Sequence, residues 1–198
     1  MTRPAKRPLG HHHGDLRNAL EQAALALVAD TGPRGFTLAE ASRRAGVSVA
    51  APYKHYADRD ALLAAVALRG YLEQKRRFSE AVAGASDPVE QLARFGSAYV
   101  LFAVQERALF EVTFAAGLDK SRYPELAEAG NDVLAVLTGP AGRLRDDPAA
   151  ALELVLAVAA SAHGLAVFLL EGVFGPVAEA LPATRQRAAD SARRLAGK

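Results

Sequence analysis

With 198 residues the chain is long enough to bury a core of its own, as one domain or two modest ones. It contains no cysteine, which excludes disulfides and thiolate chemistry and suits a reducing cytoplasm. The net charge of +2 is unevenly placed: residues 1–80 carry 13 Lys and Arg against 8 Asp and Glu, and residues 81–198 carry 11 against 14, as in a polyanion-binding head on a neutral-to-acidic body.

Residues 1–14, MTRPAKRPLGHHHG, show no periodicity and read as a flexible basic arm, without the apolar stretch of a secretory signal. His11, His12 and His13 cannot readily converge on one ion in tetrahedral geometry from such a segment, so no metal site is expected. Asp15 is a candidate cap for a first helix striped with Leu16, Leu20, Ala24, Leu27 and Val28, which Gly32, Pro33 and Gly35 bring to an end.

Thr37 and Glu40 then have the spacing of a capping box, so a helix should follow Thr37. Leu38, Ala41 and Ala45 give it one apolar face, Gly46 suits its end, and Val47 can pack back into the core. Ser48 is placed to cap a second helix after a very short turn, the arrangement that presents a helix to a DNA major groove. Val49, Ala50 and Ala51 are small enough to approach base edges, and Pro52 offers an apolar edge beside them. Tyr53, Lys54 and His55 carry donors for phosphates. Thr37 and Arg59, at helix starts, together with Arg43 and Arg44, extend the same positioning role. Tyr56 is expected in the core.

Ala57 and Asp58 form a turn and a cap before a long helix from about Arg59 to Val82, with Leu62, Leu63, Val66 and Tyr71 facing inward. The cluster GASDP at 84–88 breaks the pattern and marks a domain boundary. The expected division is an arm at 1–14, a head with its connecting helix at 15–83 and a helical body at 84–198. In the body, helical patterns run over 89–105, 108–117, 124–138, 149–171 and 177–195, and no segment alternates as a strand would. The fold class is therefore all-α. The run Leu154 to Leu170 is apolar enough to raise a membrane-spanning reading, but it is short of about 20 residues and carries Ser161 and His163 near its middle, so a buried bundle helix is expected. Phe95, Tyr99, Phe102, Phe110, Phe114, His163 and Phe168 would make a largely apolar lining with a few polar handles, as a small-molecule site requires; the same stripe could equally be core.

The ordered string from Phe36 to Tyr56, FTLAEASRRAGVSVAAPYKHY, followed by an acidic cap and DALL, resembles the DNA-binding signature of the TetR family of bacterial repressors over roughly Asp15 to Val66. HHHGDLR is similar to the start of one subgroup of that family. AYVLFAVQERALFEVTF and AHGLAVFLLEG resemble the ligand-binding domain of a subgroup named for a Trp-His-Gly pattern, although no Trp is present and Ala159 stands where it would fall. The resemblance implies a homodimer that presents two recognition helices to a palindromic operator in double-stranded DNA, and a body that binds a small effector. The dimer surface is expected on the last two long helices, through Ala159, Ala162 and Ala166 on one and Ala178, Leu181, Ala188, Ala192 and Leu195 on the other. No nucleophile–base arrangement, metal spacing or phosphate loop points to an enzyme, and no cofactor is expected. A ligand-independent helical DNA-binding or adaptor protein is the alternative.

Overall fold

The computed structural model describes residues 12–119 and 121–197, and every regular element among them is helical. The order is α1 (His12–Thr31), α2 (Leu38–Arg44), a single 3-10 turn (Pro52–Lys54), α3 (Arg59–Ala83), α4 (Pro88–Gln105), α5 (Arg107–Ala115), α6 (Pro124–Ala135), α7 (Thr138–Gly142), α8 (Pro148–Leu170) and α9 (Val177–Ala196). Three of the long helices start on an aspartate whose carboxylate accepts from the backbone N–H three residues on: Asp58 from Ala61, Asp87 from Glu90 and Asp147 from Ala150. Pro88 and Pro148 follow two of these caps, at the position where a missing N–H costs nothing.

Two expected boundaries move. Helix α1 begins at His12, so Asp15 lies inside its first turns instead of capping it; residues 1–11 of the expected arm lie outside the described residues. Gly139 and Pro140, read as a break, fall within the short helix α7, because a proline near a helix start loses no internal bond.

In the head, Leu20, Ala24 and Val28 of α1 close on Phe36, Leu38, Ala41 and Tyr56, over Leu62, Leu63 and Val66 of α3. Tyr56 is buried as expected, with its hydroxyl donating to Glu21 at 2.8 Å and accepting from Arg17 Nε at 3.3 Å. In the body, α4 is the central helix and packs on α3, α8 and α9. At Gly96 the α9 backbone comes so close that a Cβ would stand 2.9 Å from the Ala188 carbonyl oxygen. By length and composition α8 could cross a membrane, but here it is a partly buried core helix packed on α4, α7 and α9.

That packing corrects the expected dimer surface. Ala162, Ala166, Ala188 and Ala192 are all buried within the single chain; their small side chains do allow close approach, but to helices of the same chain. The large apolar residues of α8 left exposed are Leu152, Leu156 and Phe168, with Val173 just beyond its end.

Head and body share α3 and are further tied where α1 lies against α5 and where Arg122 donates to Asp58 at 3.1 Å. Arg122 lies ahead of α6 and Asp58 at the N-terminus of α3, so this ion pair runs from the body to the cap of the connecting helix.

Candidate nucleic-acid interface and ligand cavity

The first helix of the head's two-helix motif is held at both ends by its own sequence. Thr37 Oγ1 accepts from the Glu40 N–H at 3.2 Å, and Glu40 Oε2 accepts from the Thr37 N–H at 2.7 Å, the reciprocal bonds of a capping box. The Thr37 hydroxyl, which donates to the same carboxylate at 2.8 Å, and then the Thr37 N–H hold the Glu40 carboxyl below its ordinary range. At the other end Gly46 takes φ +71°, and the Val47 N–H reaches back to the Ser42 carbonyl at 3.0 Å, turning the chain sharply.

The second element departs from expectation. Residues 48–55 form turns and the 3-10 stretch, without a regular α-helix. The Ala51 N–H bonds to the Ser48 carbonyl and the His55 N–H to the Pro52 carbonyl, both i to i−3. With Ser48 as cap, the first bond of an α-helix would run from residue 52 to the Ser48 carbonyl, and Pro52 has no N–H to make it. Pro52 is also buried, so it is a packing residue and does not present an edge to DNA. Ser48, Ala50, Arg43 and Lys54 are exposed, as are Val49 at 49% and Tyr53 at 62%, which leaves one apolar and donor-bearing surface facing solvent. Ala51 and His55 are half-buried.

Two of the expected phosphate contacts are already engaged within the head. Arg59 donates to the Pro33 carbonyl and to Asp60, and its guanidinium lies 5.2 Å from the centre of the Phe36 ring. It therefore braces the loop before α2. Arg44 pairs with Asp30 at 2.6 Å.

The body holds a cavity of about 500 Å3 between α3, α4, α6 and α8, within the range of drug-sized sites. Phe95, Tyr99 and Phe114 form aromatic walls, with Tyr71 and Gln74 from α3 and His163 from α8. The Tyr99 hydroxyl and His163 Nδ1 share a hydrogen bond of 3.0 Å. Burial raises the Tyr99 pKa and lowers that of His163, so both are neutral at pH 7. Gln74 is 1% exposed, and its Nε2 has no hydrogen-bond partner. The Phe114 ring, 4.7 Å from that of His163, also borders a cleft beside Thr31, Gly32, Pro33 and Arg34, the loop leaving α1.

A family profile described as bacterial regulatory proteins of the tetR family matches residues 21–66, the whole two-helix motif and the start of α3. A second, described as the tetracyclin repressor-like C-terminal domain, matches residues 92–192, more than half of the chain. The chain belongs to the TetR family of DNA-binding transcriptional regulators. Among solved structures, a protein of unknown function from Rhodococcus sp. RHA1 is 30% identical, with 94% of this chain and 98% of that one covered and a TM-score of 0.74. The TetR family transcriptional regulator PfmR from Thermus thermophilus shares the fold at 18% identity, covering 89% and 97% of the two chains, TM-score 0.69. The transcriptional regulator FadR from Bacillus subtilis, solved in complex with stearoyl-CoA, does so at 13% identity, covering 88% and 98%, TM-score 0.68. No curated protein matches the chain.

In this TetR-family regulator the cavity gathers four of the seven side chains expected of it, Phe95, Tyr99, Phe114 and His163. Three expectations fail. Phe102 and Phe110 are buried in the aromatic core and do not line the cavity, Phe110 standing behind its wall at 5.5 Å from the His163 ring, and Phe168 is 50% exposed, 6.0 Å from the Phe174 ring. Helical spacing brings aromatics onto neighbouring faces but does not say which face a cavity will border. Ala159, assigned to the dimer surface, lines the cavity. Sequence reasoning missed Gln74 and the α6 wall of Ala127, Gly130 and Asn131. An uncharged amide inside the inward stripe of α3 was the available signal for Gln74.

Proposed function

We propose that this regulator is a homodimeric repressor that holds a palindromic operator in double-stranded DNA and lets go when a small molecule occupies the body. The observation that carries it is the exposed surface of Ser48, Val49, Ala50, Tyr53 and Lys54, set on a motif capped at both ends. Ser48, Tyr53, Lys54, Arg43 and the Thr37 helix start would contact phosphates, with Val49 and Ala50 against thymine methyls. Arg44 can join them by exchanging Asp30 for a phosphate. With no amide or guanidinium on the base-reading turn, specificity would rest on methyl contacts and DNA shape.

Two copies would associate through large apolar side chains left exposed on α8, Leu152 and Phe168, with Ala178 and Leu181 of α9. A second copy would cover these side chains, in keeping with a cytoplasmic regulator. The cavity supports the effector half of the reading, and the stearoyl-CoA complex of the Bacillus subtilis regulator is a precedent for a ligand on this fold. A Trp-His-Gly-type body would place Ala159 where a large ring is expected, and its methyl on the cavity wall leaves that volume open.

The test is selection of an operator from random DNA followed by salt titration. Tyr53→Ala with Lys54→Ala should weaken binding to every sequence and lower the slope of log affinity against log salt by about one unit for each phosphate no longer held. An unchanged slope and affinity would remove this surface from the interface.

A further inference from the structure

The chemistry of the cavity specifies its ligand more narrowly than size does. None of its lining side chains is charged, so an ionised group entering it would lose its water and gain no counter-charge. Its walls are aromatic, with Phe95 and Phe114 at 5.8 Å and 6.5 Å from Tyr99 between ring centres, a surface suited to a flat ring. The Tyr99 hydroxyl and His163 Nδ1 are paired with each other. Gln74 differs: it is almost wholly buried, borders the cavity, and its Nε2 finds no acceptor in the folded chain. A buried donor without a partner is costly, and few are kept without a use.

We infer that the cavity takes an uncharged, ring-bearing molecule with one carbonyl acceptor, a ketone, ester or amide, whose oxygen receives the Gln74 Nε2 hydrogen. This rests on the reading of the cavity as the effector site. It goes further by naming the acceptor, the residue that selects it and the class the site rejects, carboxylates and other anions. The same α3 that holds Gln74 starts at the Asp58 cap in the head, so the polar anchor of the ligand sits on the helix that carries the DNA-binding motif.

The test uses the full chain without DNA and three matched probes: benzophenone, diphenylmethane, which lacks the acceptor, and 4-benzoylbenzoate, which adds a charge. Isothermal titration should show benzophenone binding about five- to tenfold more tightly than diphenylmethane, the worth of one hydrogen bond to an otherwise orphaned donor, with 4-benzoylbenzoate weakest. In Gln74→Leu the preference for benzophenone over diphenylmethane should fall to about one while diphenylmethane binding persists. Gln74→Met, unbranched and close in volume, should behave alike and guards against a leucine variant that misfolds. Equal binding of the first two probes by the native chain, a preference that survives both substitutions, tightest binding of the carboxylate, or no binding of any probe would each overturn the inference. Operator release is read separately, in parallel samples to which the selected operator is added: selective binding without release leaves the ligand class standing and removes the effector role from the proposed function.

Discussion

Asp58 is where the DNA-binding head, the connecting helix and the body meet, and its replacement separates the contributions of cap and ion pair. Its carboxylate accepts from the Ala61 N–H at 2.8 Å and, through the other oxygen, from Arg122 at 3.1 Å. Loss of a capping side chain from a long helix costs about 1 kcal/mol, or about 2–4 °C in melting temperature for a chain of this size. The Arg122 pair is exposed and screened by salt, so it should add little. Asp58→Ala is therefore expected to melt about 2–4 °C below the native protein at equal protein concentration, and Asp58→Asn, which keeps the cap, to recover most of that. The pH dependence follows the same bond. The Ala61 N–H, with smaller help from Arg122, holds the Asp58 carboxyl below its ordinary 3.8. The stability it supplies is therefore complete above pH 3.8 and lost as pH falls through the lowered value; Asp58→Asn should lack this component. Melting curves from pH 7 down to pH 3 test both points. An Asp58→Asn protein that melts as low as Asp58→Ala, or an Asp58→Ala protein that melts like the native one, would refute the assignment of the effect to the cap.

At Gly96 a methyl group would meet the Ala188 carbonyl oxygen at 2.9 Å, so Gly96→Ala should lose about 1–3 kcal/mol in chemical denaturation. Gly139→Ala, with nothing within 4 Å of the new atom, should lose nothing. Burial lowers the His163 pKa below 6.5. As pH drops below 6.5 the unfolded chain takes up a proton that the folded one refuses, and stability declines until the folded value is passed. His163→Gln should show a correspondingly smaller loss of melting temperature between pH 7.5 and pH 5. Leu152→Asp combined with Phe168→Asp should sediment as a monomer with unchanged helical circular dichroism; a dimer that persists in the double variant would place the interface elsewhere.

The parts of the fold legible in the sequence are those set by short-range chemistry. Thr37 with Glu40, Asp87 with Pro88, and Gly46 act over three or four residues, and each does what its spacing predicts. Pro52 is also local, but its effect depends on register: counted from Ser48 it falls where the first helical bond must form, and the recognition element becomes turns and a 3-10 stretch. The cavity was half legible. Phe95, Tyr99, Phe114 and His163 are conspicuous by type, whereas Gly130 enters the wall only because a third helix brings it to 3.4 Å from the Tyr71 ring, counting from where its Cβ would be. The alanines of α8 and α9 promise close packing without naming the partner, and α4 of the same chain takes it.

Phe114 has a consequence for recombination within this family. Its ring is at once a wall of the body's cavity and a border of the cleft beside Thr31 to Arg34. Heads and bodies are therefore not interchangeable at the α3 boundary alone. A chimera that imports a foreign DNA-reading head onto this body inherits a seam at residues 31–34, and the proposed ligand response should survive the graft only when that loop is transplanted to match the cleft it shares with the ring.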